Sequence, residues 1–155
     1  MCRVVIKNDT VYSSGLDKTV KAWSITNNHL KYEFTHNVFV FDFVIGRNGS
    51  PLNNKIVSIS YDNSCRISCR ISNLETGDEV KTINVDTSCW SVSVDKAQTL
   101  IAIGAESKVI FIETTNFTKV KEVSLNNAVL SLAFNNRNDY MLAVTKNGEV
   151  HSIKF

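Results

Sequence analysis

The chain has 155 residues, of which 43% are apolar, and this length and composition suit one globular domain with a substantial core. Its 17 basic and 15 acidic residues leave a formal net charge of +2, which gives no electrostatic case for binding nucleic acid or an anionic membrane. The longest apolar run, Val38–Gly46, has nine residues and contains Asp42, so it is too short and too polar to span a bilayer.

Short segments rich in Val, Ile, Ser, Thr and aromatic residues follow one another along the whole chain. Turn-forming residues such as Asn, Asp and Gly separate them, and no window carries the apolar stripe of an amphipathic helix. The pattern therefore predicts an all-β fold. In chain order the predicted strands are MCRVVI, TVYSSGL, TVKAWSI, FVFDFVI, KIVSISY, EVKTINV, CWSVSV, LIAIGA, KVIFIE, KVKEVSL, VLSLAF, MLAVT and EVHSIKF.

Several of these segments are repeats of one another. Gly15–Ile25, Gly104–Thr114 and Thr145–Phe155 align without a gap, so that three valines share one column and Trp23 shares another with two isoleucines. The preceding strands align too, at a spacing of about 40 residues, which is typical of a repeated four-stranded unit. The aligned preceding strands are Val40–Ile45, Cys89–Val94 and Val129–Phe134.

The second repeat contains the same four residues twice, Ser64–Ile67 and Ser68–Ile71. Removing four residues places Ser72-Asn73-Leu74 under Trp23-Ser24-Ile25. An insertion of four preserves the alternation of faces along a strand, and it either lengthens the strand by about 13 Å or bulges at one end. Two cysteines four apart in an extended strand lie too far apart to share a zinc ion, so we interpret the duplication as tolerated.

These repeats resemble the WD-repeat β-propeller family, most closely in YSSGLDKTVKAWSI of the first repeat. The resemblance implies one propeller segment over residues 1–155, built of four-stranded antiparallel blades. Ser24 stands where the family has the second residue of its Trp-Asp pair, and repeats two to four lack the tryptophan. The resemblance also implies a hydrogen-bonded network that stiffens the first two blades, with the members Asp17, Trp23, His36, Ser58, Ser60 and Asp62.

The predicted blades cover approximately residues 1–35, 36–86, 87–126 and 127–155. The last blade lacks its fourth strand, so the propeller is incomplete. We therefore expect the chain to be a fragment of a longer propeller. The alternatives are a half that pairs with another half in cis or as a dimer, and a strained closed ring of four blades. An open arc would expose two apolar blade faces and an unpaired strand edge.

The sequence gives little indication of catalysis. Its glycines lie singly in turns, no nucleophile elbow occurs, and the three histidines fall in different repeats without metal-ligand spacing. Cys89, beside Trp90, is interpreted as a small core residue rather than a reactive thiol. We therefore expect no enzyme activity, no catalytic residues, no metal and no cofactor.

The remaining candidate site is the rim of turns on which WD-repeat proteins bind partners. The resemblance predicts a scaffold or adaptor for protein–protein interaction, with no membrane attachment and no direct contact with nucleic acid. The alternatives are a structural subunit of a large ribonucleoprotein or chromatin-type assembly and the substrate-recognition part of a ubiquitin ligase. No signal peptide is visible, so an intracellular location, cytoplasmic or nuclear, is expected. The candidate partner-binding residues are Lys18, Phe39, Tyr61, Asn63, Glu106 and Lys146.

Overall fold

A computed structural model describes residues 3–60, 68–137 and 139–154, and within these residues the chain forms fifteen β-strands and no helix. The all-β prediction is therefore confirmed. The strands are β1 (Val4–Lys7), β2 (Thr10–Ser14), β3 (Thr19–Ser24), β4 (Leu30–Thr35), β5 (Val40–Ile45), β6 (Lys55–Ser60), β7 (Ser68–Asn73), β8 (Glu79–Asn84), β9 (Cys89–Val94), β10 (Leu100–Ala105), β11 (Lys108–Glu113), β12 (Lys119–Ser124), β13 (Val129–Phe134), β14 (Tyr140–Thr145) and β15 (Val150–Lys154).

The strands form four antiparallel sheets in which each strand pairs with its neighbours in sequence. Sheet I contains β1–β4, sheet II contains β5–β8 and sheet III contains β9–β12. Sheet IV contains only β13–β15 within the described residues, so the predicted absence of a fourth strand agrees with this sheet. Consecutive strands can pair in this way because short turns connect them, and such meanders need no crossover.

The pairing registers of the second and third strands coincide in the four sheets. Thr10 pairs with Ser24 in sheet I, and Lys55 pairs with Asn73 in sheet II. The corresponding partners in sheets III and IV are Leu100 with Glu113 and Tyr140 with Lys154. These registers define equivalent positions across the sheets, and they reproduce the alignment of the repeats in the sequence.

The second copy of the duplicated segment, Ser68–Ile71, lies in β7. It pairs with β6 in a register that runs from Lys55 opposite Asn73 to Ile59 opposite Cys69. The first copy, Ser64–Ile67, lies outside the described residues, and so do the two alternatives of a lengthened strand and a bulge.

Deletion of Ser68–Ile71 should change the unfolding temperature by no more than about 3 °C. The deletion leaves the first copy to form the start of β7, so the same side chains occupy the same register and only the preceding connection becomes shorter. Differential scanning calorimetry of the two proteins measures the change. A larger loss of thermal stability, or a loss of partner binding, would show that the extra four residues have a role.

Three apolar clusters hold the sheets together, one at each junction between consecutive sheets. Tyr12 and Ala22 of sheet I pack with Phe43 and Ile56 of sheet II. We call the face of a sheet that packs on the following sheet its trailing face, and the opposite face its leading face. The other two clusters join sheets II and III and sheets III and IV in the same way. Each cluster removes several large side chains from water, and this burial is the main source of stability.

Candidate partner-binding rim and central cavity

The turns that follow the second and fourth strands of a sheet are hydrogen bonded to one another, and together they form the rim. In sheet I the amide of His36 donates to the carbonyl of Lys18 at 2.8 Å. The amide of Val40, which begins sheet II, donates to the carbonyl of Gly15 at 3.4 Å. Sheet III has an equivalent bond from Leu125 to Ser107 at 2.7 Å. The backbone thus fixes the turn residues next to one another.

Lys18 and Phe39 lie in neighbouring turns of the rim. Lys18 is exposed and has a φ of 68°, while Phe39 is 43% exposed. Glu106 and Lys146 are exposed in the rim turns of sheets III and IV. The other two predicted partner-binding residues, Tyr61 and Asn63, lie outside the described residues.

Sequence reasoning missed Leu16, which lies between Gly15 and Lys18 and is 60% exposed. Its turn is bonded to the turn that carries Phe39 through the Gly15–Val40 hydrogen bond. The sequence feature that could have identified Leu16 is a leucine in a turn, where polar side chains are usual. Leu16, Lys18 and Phe39 therefore form a rim patch of two apolar side chains and one cation, beside the exposed Asp17, whose carboxylate pairs with Lys21.

The proposed network of the second repeat contains a buried histidine. His36 is 2% exposed, and its Nε2 lies 2.9 Å from Oγ of Ser58. Ser60 is also buried, and Asp62 lies outside the described residues. Burial and, to a smaller extent, the nearby charge of Arg70 lower the pKa of His36 to about 4. His36 is therefore neutral at physiological pH and contributes to rigidity rather than to charge.

The structure does not join Asp17 and Trp23 in the first repeat. One Asp17 oxygen accepts from the Thr19 amide at 3.3 Å, and the other accepts from Lys21 Nζ at 2.6 Å. Trp23 is 37% exposed on the leading face of sheet I. Asp17 lies in the turn before β3, whereas Trp23 lies on β3, and the predicted network of the first repeat stays a prediction.

The first strands of all four sheets line one central cavity of about 400 Å³. Val4 of β1, Phe41 of β5, Trp90 of β9 and Leu130 of β13 each contribute a side chain to it. The rings of Phe41 and Trp90 lie 5.5 Å apart with an interplanar angle of 46°. The cavity therefore has two aromatic residues in its lining, together with the polar residues Arg3, Asp42 and Ser91.

Asp42 joins three sheets at this cavity. One oxygen forms a 2.9 Å ion pair with Nη1 of Arg3, and the other accepts from the Val92 amide at 3.0 Å. The amide of Phe43 donates to the first oxygen at 2.9 Å. Burial raises the pKa of Asp42, while the Val92 amide and Arg3 oppose this rise. The sequence signal was a single aspartate inside an apolar run.

The described residues hold no group of three or more His, Cys, Asp or Glu side chains that could bind a metal ion. Cys89 is fully buried, and burial raises the pKa of its thiol to about 12. The interpretation of Cys89 as a core residue is confirmed, because a thiol with this pKa is not ionised near neutral pH. In the part of the chain that the structure describes, no helix is long and apolar enough to cross a membrane.

No protein-family model matches the chain, and no curated protein sequence matches it. Among solved structures, the computationally designed Ika4 protein is 16% identical with a TM-score of 0.80, covering 98% of this chain and 89% of Ika4. The computationally designed Ika8 protein is 17% identical with a TM-score of 0.80, covering 98% of this chain and 45% of Ika8. The chain thus spans less than half the length of Ika8. These similarities concern the fold alone.

Proposed function

We propose that the chain is a propeller-type, WD-repeat-like scaffold that binds a protein partner on its rim. Two features support the propeller interpretation. Four consecutive antiparallel sheets pack face to face, and the first strand of each sheet lines the same central cavity. Both features are expected of blades arranged around an axis, in which the turns at one end form a continuous surface.

The observation that carries the binding role is the rim patch of Leu16, Lys18 and Phe39. Leu16 and Phe39 are 60% and 43% exposed, although both are large apolar side chains. Exposed apolar side chains grouped in adjacent turns are characteristic of interaction sites, and aromatic residues often supply the main anchor. Rigid backbone bonds hold these turns, so little entropy would be lost when a partner binds.

The chemistry of the patch indicates the kind of partner. Two apolar side chains can receive an apolar side chain of a peptide segment, and Lys18 can pair with an acidic group beside it. The neutral balance of charge over the chain gives no extended basic surface. The partner is therefore a protein segment that presents an apolar residue next to an acidic one.

Selection of a displayed peptide library against the protein tests this function directly. We expect the selected peptides to combine an apolar and an acidic residue. The double variant with Phe39→Ala and Leu16→Ser should bind them at least about 10-fold more weakly, because it removes the apolar anchor. Val120→Ser is the matched control, since Val120 is 53% exposed but lies on β12 away from the patch. Binding that survives the double variant would contradict the proposal.

A further inference from the structure

In the part of the chain that the structure describes, two sheet faces belong to no apolar cluster, the leading face of sheet I and the trailing face of sheet IV. Every other pair of consecutive faces is joined by an apolar cluster, whereas no cluster of the described residues joins sheet IV to sheet I. The described residues therefore leave one leading face, on sheet I, and one trailing face, on sheet IV, without a partner cluster. We call these two the unused faces.

The leading face of sheet I carries apolar residues at positions that are buried in the other sheets. Val4 is 62% exposed, and its equivalent in sheet II is the fully buried Phe43, since both pair with the same position of the second strand. Ile6 is 66% exposed, and Trp23 on the same face is 37% exposed. The face has the composition of a packing surface, but in the described residues no apolar cluster covers it.

The trailing face of sheet IV also carries exposed apolar residues at positions that are buried in the other sheets. Leu142 is 40% exposed, whereas its equivalents Tyr12, Val57 and Ala102 are buried against the following sheet. The same face has three more exposed apolar side chains, with Tyr140 39%, Val144 36% and Val150 62% exposed. Its opposite face, by contrast, is packed on sheet III through Met141, Ala143 and Ile153.

These two faces account for seven of the fourteen large apolar side chains that are exposed in the described residues. Apolar side chains on contiguous sheet positions favour association, since their burial releases water. The two faces do not cover each other within the chain, because their side chains remain more than one-third exposed. The surface that fits a trailing face is a leading face, and this chain carries one of each.

We propose that the two faces bind each other between two copies of this chain. The trailing face of sheet IV of one copy packs on the leading face of sheet I of the other, and a second identical junction closes the pair. The junction continues the packing that already joins sheets I to II, II to III and III to IV. A head-to-tail contact either closes or forms a filament, and closure with two copies leaves neither face exposed. The proposal does not depend on the role of the rim.

Sedimentation velocity over a range of concentrations tests the pair. We expect the wild type to be a dimer, and we expect Leu142→Lys and Ile6→Lys each to give a monomer, because either change places a charge in both junctions. Val120→Lys is the matched control and should remain a dimer, since Val120 is an exposed strand valine on neither face. Circular dichroism spectra check that every variant keeps its β-structure.

Mixing the two monomeric variants tests the head-to-tail geometry. A copy with Leu142→Lys retains its leading face, and a copy with Ile6→Lys retains its trailing face, so an equimolar mixture should form a 1:1 pair through one intact junction. A chain that carries both substitutions has neither face intact. It should therefore remain a monomer alone and should pair with neither single variant.

Three results would overturn the proposal. A wild type that is a monomer at all concentrations would contradict the dimer. If Leu142→Lys then lowered the unfolding temperature of this monomer, the two faces would pack on each other within one chain. Assemblies larger than a pair would show a filament instead. A dimer that survives both lysine substitutions would place the interface elsewhere. Phe39→Ala should leave the dimer intact. Sedimentation therefore tests the dimer independently of peptide binding, which tests the rim.

Discussion

Asp42→Ala should lower the free energy of unfolding by about 2–3 kcal/mol, because it leaves a buried amide without an acceptor. The amide of Val92 donates to Asp42 across the junction between sheets II and III, and Val92 is only 3% exposed. The loss of the Arg3 ion pair adds less, because the Arg3 side chain is 44% exposed and reaches water.

A comparison of Asp42→Asn with Asp42→Ala separates the contribution of the hydrogen bonds to stability from that of the charge. Asparagine keeps one oxygen that can accept from Val92, and it removes a carboxylate whose ionised form burial disfavours. We therefore expect Asp42→Asn to cost less than about 1 kcal/mol. Urea unfolding followed by tryptophan fluorescence measures both variants, with the exposed Asp86 changed to alanine as the control. Equal losses for the alanine and asparagine variants would contradict the hydrogen-bond explanation.

The arrangement of strands could be predicted because it depends on local patterns. Short β-prone runs and turn residues alternate, and the registers of β2–β3 and β14–β15 follow the gapless alignment of the repeats. The duplicated segment was harder, because alternation of faces is the same whether four extra residues lie inside a strand or before it. The register of the second copy is set by its pairing with β6, in which Ile59 lies opposite Cys69, and this pairing is not visible in the repeated letters themselves.

The candidate site was less predictable, because it depends on contacts between sheets. A leucine at position 16 in a turn gives no indication that the turn lies against the one carrying Phe39; the Gly15–Val40 bond brings them together. Asp42 was visible as a charge in an apolar run, but its partners Arg3 and Val92 are 39 and 50 residues away in sequence.

The rim patch and the unused faces suit two different kinds of interaction, one transient and one stable. The rim patch is small and held by backbone hydrogen bonds, so it suits a partner that exchanges. The two unused faces are continuous with the core and resemble its composition, so their burial contributes to folding stability as well as to assembly. A dimer would therefore present two copies of the rim patch on one rigid body, and this would increase avidity for a partner with two matching segments.

Wild-type stability should fall as the pH decreases from about 6.5 to about 4, and His36 should account for up to about 3 kcal/mol of the loss. Burial and Arg70 lower the pKa of His36 from 6.5 to about 4 in the folded protein. Between these values the unfolded chain binds a proton that the folded protein does not bind. The contribution is therefore complete above pH 6.5 and is lost as the pH falls toward 4.

His36→Gln should flatten this dependence. Glutamine can keep the contact with Ser58 Oγ, which His36 makes at 2.9 Å, but it does not titrate. Glu79 opposes the shift and Arg70 reinforces it, and both carry charges near His36 in the two proteins alike. Urea unfolding at intervals from pH 7.5 to 4 gives the free energies, and the exposed His29 changed to glutamine is the control. Parallel pH curves for the wild type and His36→Gln would show that another group governs acid unfolding.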